Sequence, residues 1–155
     1  MTTYFLDTSA LVKRYHQEVG TEVIDNIFRE EDKELFISDL SIIEFHSAIA
    51  LKVRTREISR DAFSHLVGFF SHELDIGLYQ VKQINEEEKQ EAVTLLAEYG
   101  FDYALRTLDS LQLAAIKTLR NVDWVVCADA RFCGIIRLNG FHVINPEESG
   151  KNQGC

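Results

Sequence analysis

Short unbroken apolar runs alternate along this chain with longer stretches whose apolar positions recur every three or four residues. Tyr4-Phe5-Leu6, Leu35-Phe36-Ile37 and Trp124-Val125-Val126-Cys127 are runs of the first kind, and Leu78 to Val81 is one broken only by Gln80. They are too short for helices and do not alternate with polar residues, so they predict strands of a parallel sheet buried on both faces. Strands are expected over residues 3–7, 35–38, 78–81 and 124–128, with a short last strand over 142–144. The second kind predicts helices. Two are expected over 9–17 and 21–30. Ile42, Phe45, Ile49 and Val53 stripe a helix over 41–56, and Phe63, Leu66, Val67, Phe70 and Leu74 stripe another over 59–74. Those two should form a helical hairpin. Asn85 caps a helix running to Tyr99 with Ala92, Leu96 and Tyr99 facing inward. Another is expected over 107–119, and a short one through Arg137. Strands separated by helices imply right-handed crossovers, hence an α/β fold: a three-layer α/β/α sandwich on a parallel sheet of four to five strands.

A length of 155 residues suits one domain. It is expected over 1–146, with residues 147–155 as a flexible tail. No apolar run is long enough to span a membrane, and the first residues lack the pattern of a secretion signal. A cytoplasmic protein is expected. The 3 cysteines agree, since an odd number without paired spacing supports neither a disulfide framework nor a zinc site. Cys127 and Cys133 read as packed thiols and Cys155 as a tail thiol. Acid exceeds base, 25 Asp and Glu against 16 Lys and Arg. That balance argues against coating nucleic acid by charge alone. Glu86-Glu87-Glu88 and Glu30-Glu31-Asp32 read as solvated helix ends.

Candidate chemistry lies in a different set of acids. Asp7 ends the first strand, at the edge where open α/β sheets bind ligands. Glu44 follows the second strand, Asp109 opens a late helix, and Asp129 follows the fourth strand. Each has a plain structural explanation. Asp7 and Asp129 can cap helices, Ser41 and Glu44 match a capping box, and Asp109 follows a Thr107 cap and favours the helix dipole. Taken together, the positions converge on one rim. Carboxylates gathered there raise one another's pKa unless a cation relieves them, and an all-oxygen set suits Mg²⁺ or Mn²⁺. His46, two residues from Glu44, points away from it on a helix and reads as a non-ligand.

Four segments then carry a resemblance. Phe5-Leu6-Asp7-Thr8-Ser9-Ala10-Leu11-Val12-Lys13 resembles the opening motif of PIN-domain ribonucleases. Ser41-Ile42-Ile43-Glu44-Phe45, Leu108-Asp109-Ser110-Leu111-Gln112-Leu113-Ala114 and Val125-Val126-Cys127-Ala128-Asp129 resemble the second, third and fourth. Order and spacing agree up to about Pro146, and the layout is most similar to VapC-type toxins of toxin–antitoxin pairs. The resemblance implies a Mg²⁺- or Mn²⁺-dependent endoribonuclease, with one or two ions, that forms a homodimer and is blocked by a cognate antitoxin. It assigns the catalytic, metal-holding acids to Asp7, Glu44, Asp109 and Asp129, and a supporting hydroxyl to Ser9. Cys127 stands where the family usually has Thr or Ser, and a thiol is a poorer donor, which puts the tuning of the acids in question. Lys13, Arg14, Arg56 and Arg106 are the candidate RNA contacts. Two alternatives remain: a PIN fold that binds RNA or metal without cleaving, and a haloacid-dehalogenase-type phosphatase, which Ser9 disfavours by replacing that family's second Asp.

Overall fold

The computed structural model describes residues 1–148. Five strands form one sheet: β1 (Thr2–Leu6), β2 (Lys33–Ser38), β3 (Gln80–Lys82), β4 (Trp124–Val126) and β5 (Val143–Ile144). All neighbours pair in parallel, in the order β3-β2-β1-β4-β5. The chain therefore builds outward from β1 in one direction and then returns to β1's other side. That reversal falls between β1 and β4, where diverging connections leave a crevice at the carboxyl edge. The amide of Asp7 continues the ladder by one rung, donating to the Val126 carbonyl at 2.9 Å. The acid is thus fixed by sheet pairing at the mouth of the crevice.

Seven helices cover the two faces: α1 (Thr8–Tyr15), α2 (Thr21–Arg29), α3 (Asp39–Arg54), α4 (Arg60–Asp75), α5 (Glu86–Tyr99), α6 (Thr107–Leu119) and α7 (Ala130–Leu138). Alternation along each strand divides the core. Tyr4, Leu6, Leu35, Ile37 and Val126 pack under α1 to α4, with Leu11, Ile24, Phe45, Ile49 and Phe70. Phe5, Val125 and Cys127 pack under α5 to α7, with Leu95, Leu113, Phe132 and Ile136. The hairpin of α3 and α4 is tied to the first layer by a buried polar knot. Glu73 on α4 accepts from the Tyr15 hydroxyl and, at 2.8 Å, from Arg14 Nη2. The Arg14 guanidinium also lies 4.6 Å from the centre of the Phe28 ring.

Several expected boundaries move. The first helix ends at Tyr15, not Gln17. The third starts at Asp39 because Ser38 takes the cap, its hydroxyl accepting from the Ser41 amide. The Ser41–Glu44 capping box does not form, and Glu44 is left free of its helix end. Asn85 opens α5 as expected, but Glu88 is no solvated residue: it reaches back to the Asn85 amide at 2.8 Å and is 1% exposed. Glu147 and Glu148 stand at the start of the expected tail, where Glu147 pairs with Lys13 at 2.7 Å. Gly20, with φ 92°, is needed beside this segment, because a Cβ there would sit 2.7 Å from the Pro146 carbonyl oxygen. The rest of that tail, residues 149–155 with Cys155, lies outside the described residues.

Glu88 also yields a stability test. Burial pushes its carboxyl up, but Lys82, the Asn85 amide and the Thr118 hydroxyl outweigh that and hold it at about 2. A folded-state pKa below the unfolded one stabilises above the unfolded value, near 4.5, and the gain is lost as pH falls toward 2. Glu88→Gln is expected to cost about 1–3 kcal/mol at pH 7. Denaturant melts at pH 7 and pH 3 should show that deficit shrinking in acid.

Candidate functional site

The carboxyl ends of β1, β2 and β4 deliver their following residues to one cleft of about 720 Å³. Asp7, Glu44, Asp109 and Asp129 all line it, from four different connections. The helix-capping explanations for Asp7 and Asp129 are true as well. Asp7 is the N-cap of α1 and accepts from the Ser9 amide, and Asp129 is the N-cap of α7 and accepts from the Arg131 and Phe132 amides. Asp109 is the third residue of α6, whose N-cap is Arg106, one residue before the expected Thr107. Capping is the means by which Asp7 and Asp129 are positioned.

Asp7 and Glu44 are each held by one oxygen, and Asp129 by both. Asp7 Oδ2 accepts from the Ser9 hydroxyl at 2.5 Å and the Ser9 amide at 3.2 Å. Glu44 Oε1 accepts from Gln112 Nε2 at 2.6 Å and the Thr8 hydroxyl at 3.1 Å. Asp129 Oδ1 takes the two α7 amides, at 3.1 and 3.2 Å. The opposite oxygens, Asp7 Oδ1 and Glu44 Oε2, accept no hydrogen bond among the described residues, and Asp129 Oδ2 meets only the Arg106 guanidinium. A carboxylate locked on one side and open on the other suits a ligand held by oxygen.

The electrostatics agree. Burial pushes the Asp7 carboxyl up to about 6; the Ser9 hydroxyl pulls it down, and the charge of Glu44 adds to the rise. Burial also raises Glu44 and Asp109 above the ordinary carboxylate range, against the pull of Gln112 on the first and Arg106 on the second. The protein thus holds costly negative charge that a cation would relieve. The donor set is hard oxygen throughout, which fits Mg²⁺ or Mn²⁺. Among the described residues no three Asp, Glu, His or Cys side chains already meet at one coordination point. Arg106 stands between two of the acids.

The supporting residues divide. The Ser9 hydroxyl, besides donating to Asp7, accepts from the Ala128 amide at 2.9 Å, which braces Asp7 against the end of β4. Cys127 lies 3.8 Å from Asp7 Oδ2. Its thiol is pushed up by the neighbouring Cys133 thiol and by burial, so it remains a neutral, weak donor. His46 bonds the Ile42 carbonyl of its own helix at 2.7 Å, away from the acids. Of the four basic candidates only Arg106 lines the cleft. Lys13 is 2% exposed and paired with Glu18 and Glu147. Arg14 is spent on Glu73, and Arg56 occupies a left-handed turn after α3, at φ 64°. Arg54, two residues earlier, lines the cleft instead.

Gln112 was not singled out by the sequence reading, and it is central to the site. It is fully buried, donates to Glu44 and to the Ser41 hydroxyl at 3.0 Å, and accepts from the Ser38 hydroxyl at 2.8 Å. Its only sequence signal is a long polar side chain on the inward face of α6 between Leu111 and Leu113. Buried polar groups of that kind require partners.

Comparison with known proteins places this geometry. No curated protein matches the chain. Among solved structures, VapC20 of Mycobacterium tuberculosis, a sarcin-ricin loop cleaving toxin, is 14% identical with a TM-score of 0.67, over 92% of this chain and 99% of that one. FitAcB from Neisseria gonorrhoeae is 15% identical with a TM-score of 0.63, over 92% and 97%. VapBC2 from Rickettsia felis, bound to a fragment of promoter DNA, is 12% identical with a TM-score of 0.63, over 93% and 98%. At such identities the likeness is one of fold. The family model for the PIN domain matches residues 4–137, a span that contains all four rim acids and Ser9, so this chain belongs to the PIN-domain family.

Proposed function

We propose that this protein is a metal-dependent endoribonuclease and the toxin of a toxin–antitoxin pair. The observation that carries this reading is the set of four carboxylates lining one cleft at the carboxyl edge of a parallel sheet. A bound Mg²⁺ or Mn²⁺, as one ion or two, would polarise the phosphodiester and lower the pKa of an attacking water. The chain's own residues do the rest. Asp7, Asp109 and Asp129 would hold the ion, and sheet pairing fixes Asp7 most firmly of the three. Ser9 keeps Asp7 oriented, with Cys127 behind it. Gln112 and Thr8 occupy Glu44 Oε1 and so turn Oε2 outward, where it orients the attacking water and accepts its proton. Arg106 and Arg54, both lining the cleft, are the cations that meet RNA phosphates.

The partners follow from the same surface. Leu40, Ile43, Leu51 and Leu108 form an apolar wall of the cleft, and Ile43 is 68% exposed. A wall of that kind beside an acidic floor suits an amphipathic antitoxin segment. Solved neighbours include toxin–antitoxin complexes, one from Klebsiella pneumoniae among them. The hairpin keeps Phe69 and Ile76 exposed, which supports a homodimer. No helix among the described residues is long and apolar enough to cross a membrane. A non-catalytic PIN module is disfavoured because all four acids are present and oriented.

Cleavage of a mixed RNA pool with Mg²⁺ or Mn²⁺ is the direct test. Activity should vanish with EDTA and in Asp7→Asn, and persistence in that variant would remove Asp7 from the centre. Folding stability gives a second, opposite sign. Between pH 3.8 and about 6 the folded chain keeps the Asp7 proton that the unfolded chain loses, so stability falls as pH rises through that window. Asp7→Asn escapes that penalty and should be about 1–3 kcal/mol more stable than wild type in EDTA at pH 8, with the gap closing near pH 4. Metal affinity should respond too. Titrating Mn²⁺ by calorimetry should show affinity flat above about pH 6 and falling roughly tenfold per unit below it, because the ion needs the ionised acid.

A further inference from the structure

The acidic rim already contains a cation of its own. Arg106 Nη2 lies 3.1 Å from Asp109 Oδ2 and 3.2 Å from Asp129 Oδ2, and Nε lies 3.2 Å from the same Asp109 oxygen. One guanidinium thus spans two of the proposed metal-holding acids. The attraction of Asp109, then that of Asp129 and Asp7, raises the guanidinium's pKa, so it is charged at any working pH. It sits where positive charge is most needed.

A divalent ion would compete for the same lone pairs. Mg²⁺ bonds carboxylate oxygen at about 2 Å and keeps its own water shell, so an ion on Oδ2 of Asp109 and Asp129 would crowd the guanidinium off those two oxygens. The Arg106 contact is the weaker of the two and the freer to move. Its side chain is 60% exposed, and ion pairs in contact with solvent cost little to break. Its backbone is fixed as the N-cap of α6, with its carbonyl accepting from the Ser110 amide at 2.9 Å. Its side chain makes no capping bond, so the stem can swing without opening the helix.

Resting on the metal-centre reading above, we propose that Arg106 and the divalent ion are alternative occupants of the edge formed by Asp109 and Asp129. Metal binding releases the guanidinium into the cleft, where it becomes available to a substrate phosphate. Arg106 is then a positioning residue linked to metal loading, and it faces RNA only at a site able to cut it.

The test compares wild type, Arg106→Ala and Arg106→Lys after EDTA treatment and dialysis, titrated with Mn²⁺ by calorimetry. Removal of the competitor should tighten Mn²⁺ binding by roughly three- to tenfold in Arg106→Ala, given the usual strength of exposed pairs. Arg106→Lys should fall between the two, because an ammonium keeps the charge but cannot span both acids as a planar fork does. In wild type the ¹H–¹⁵N signal of Arg106 Nε should shift on addition of Mg²⁺. Equal or weaker Mn²⁺ binding in Arg106→Ala, a lysine variant that matches wild type, or an unmoved Nε signal would each overturn the shared seat while leaving the metal centre intact. Failure of all three proteins to bind Mn²⁺ would remove the metal centre itself, and this inference with it.

Discussion

The cost of taking carboxylates out of water, with mutual repulsion as a smaller addition, is the constraint around which this molecule is arranged. Asp7 is 6% exposed and shares its cleft with three other acids. Ionised carboxylates in such a place are costly unless donors face them. The protein answers each acid with donors, some local and some from across the fold: the Ser9 hydroxyl and amide for Asp7, two α7 amides for Asp129, a buried Gln from α6 and a Thr from α1 for Glu44, and a guanidinium for Asp109. The donors stop short of full compensation. Asp7, Glu44 and Asp109 all remain harder to ionise than free carboxylates. That shortfall is a cost that a bound cation would relieve.

Sheet topology makes this concentration of charge possible. Parallel strands point their carboxyl ends the same way, and the order β3-β2-β1-β4-β5 puts the strand bearing Asp7 between the two that precede α3 and α7. Helices starting at that rim bring unpaired amides with them. An acid there can cap a helix with one oxygen and leave the other facing the cleft. The structural and functional explanations of Asp7 and Asp129 are therefore not rivals.

Much of this was legible in the chain. The apolar runs located the inner strands, since continuous burial on both faces leaves an unbroken pattern, and the acids that follow them pointed to the rim. What stayed hidden depended on tertiary contact. Lys13 and Arg14 lie within two turns of Asp7 in sequence, yet α1 turns both toward acids far along the chain, Glu147 and Glu73. Nothing local announces such partners. Gln112 was hidden for the same reason: its role comes from Ser38, Ser41 and Glu44, which reach it only when α3 packs beside α6. The Ser41–Glu44 capping box misled because Ser38, three residues earlier, competes for the same helix start and wins.

The sign of each perturbation separates this chain's acids by role. Glu88 is as buried as any, yet Lys82, a backbone amide and Thr118 hold its carboxyl at about 2. Glu18 is likewise lowered, by Lys13 and Lys52 against the cost of burial. These acids are fully answered by the protein and hold it together. The raised acids are confined to the cleft: Asp7, Glu44 and Asp109. An acid that folding leaves under-compensated must gain elsewhere what it costs here, and charge brought by a ligand is the available source. On the proposed reading a net charge of −9 is no obstacle to acting on RNA, because a bound metal would neutralise the acids of the cleft, and Arg106 and Arg54 stand beside them.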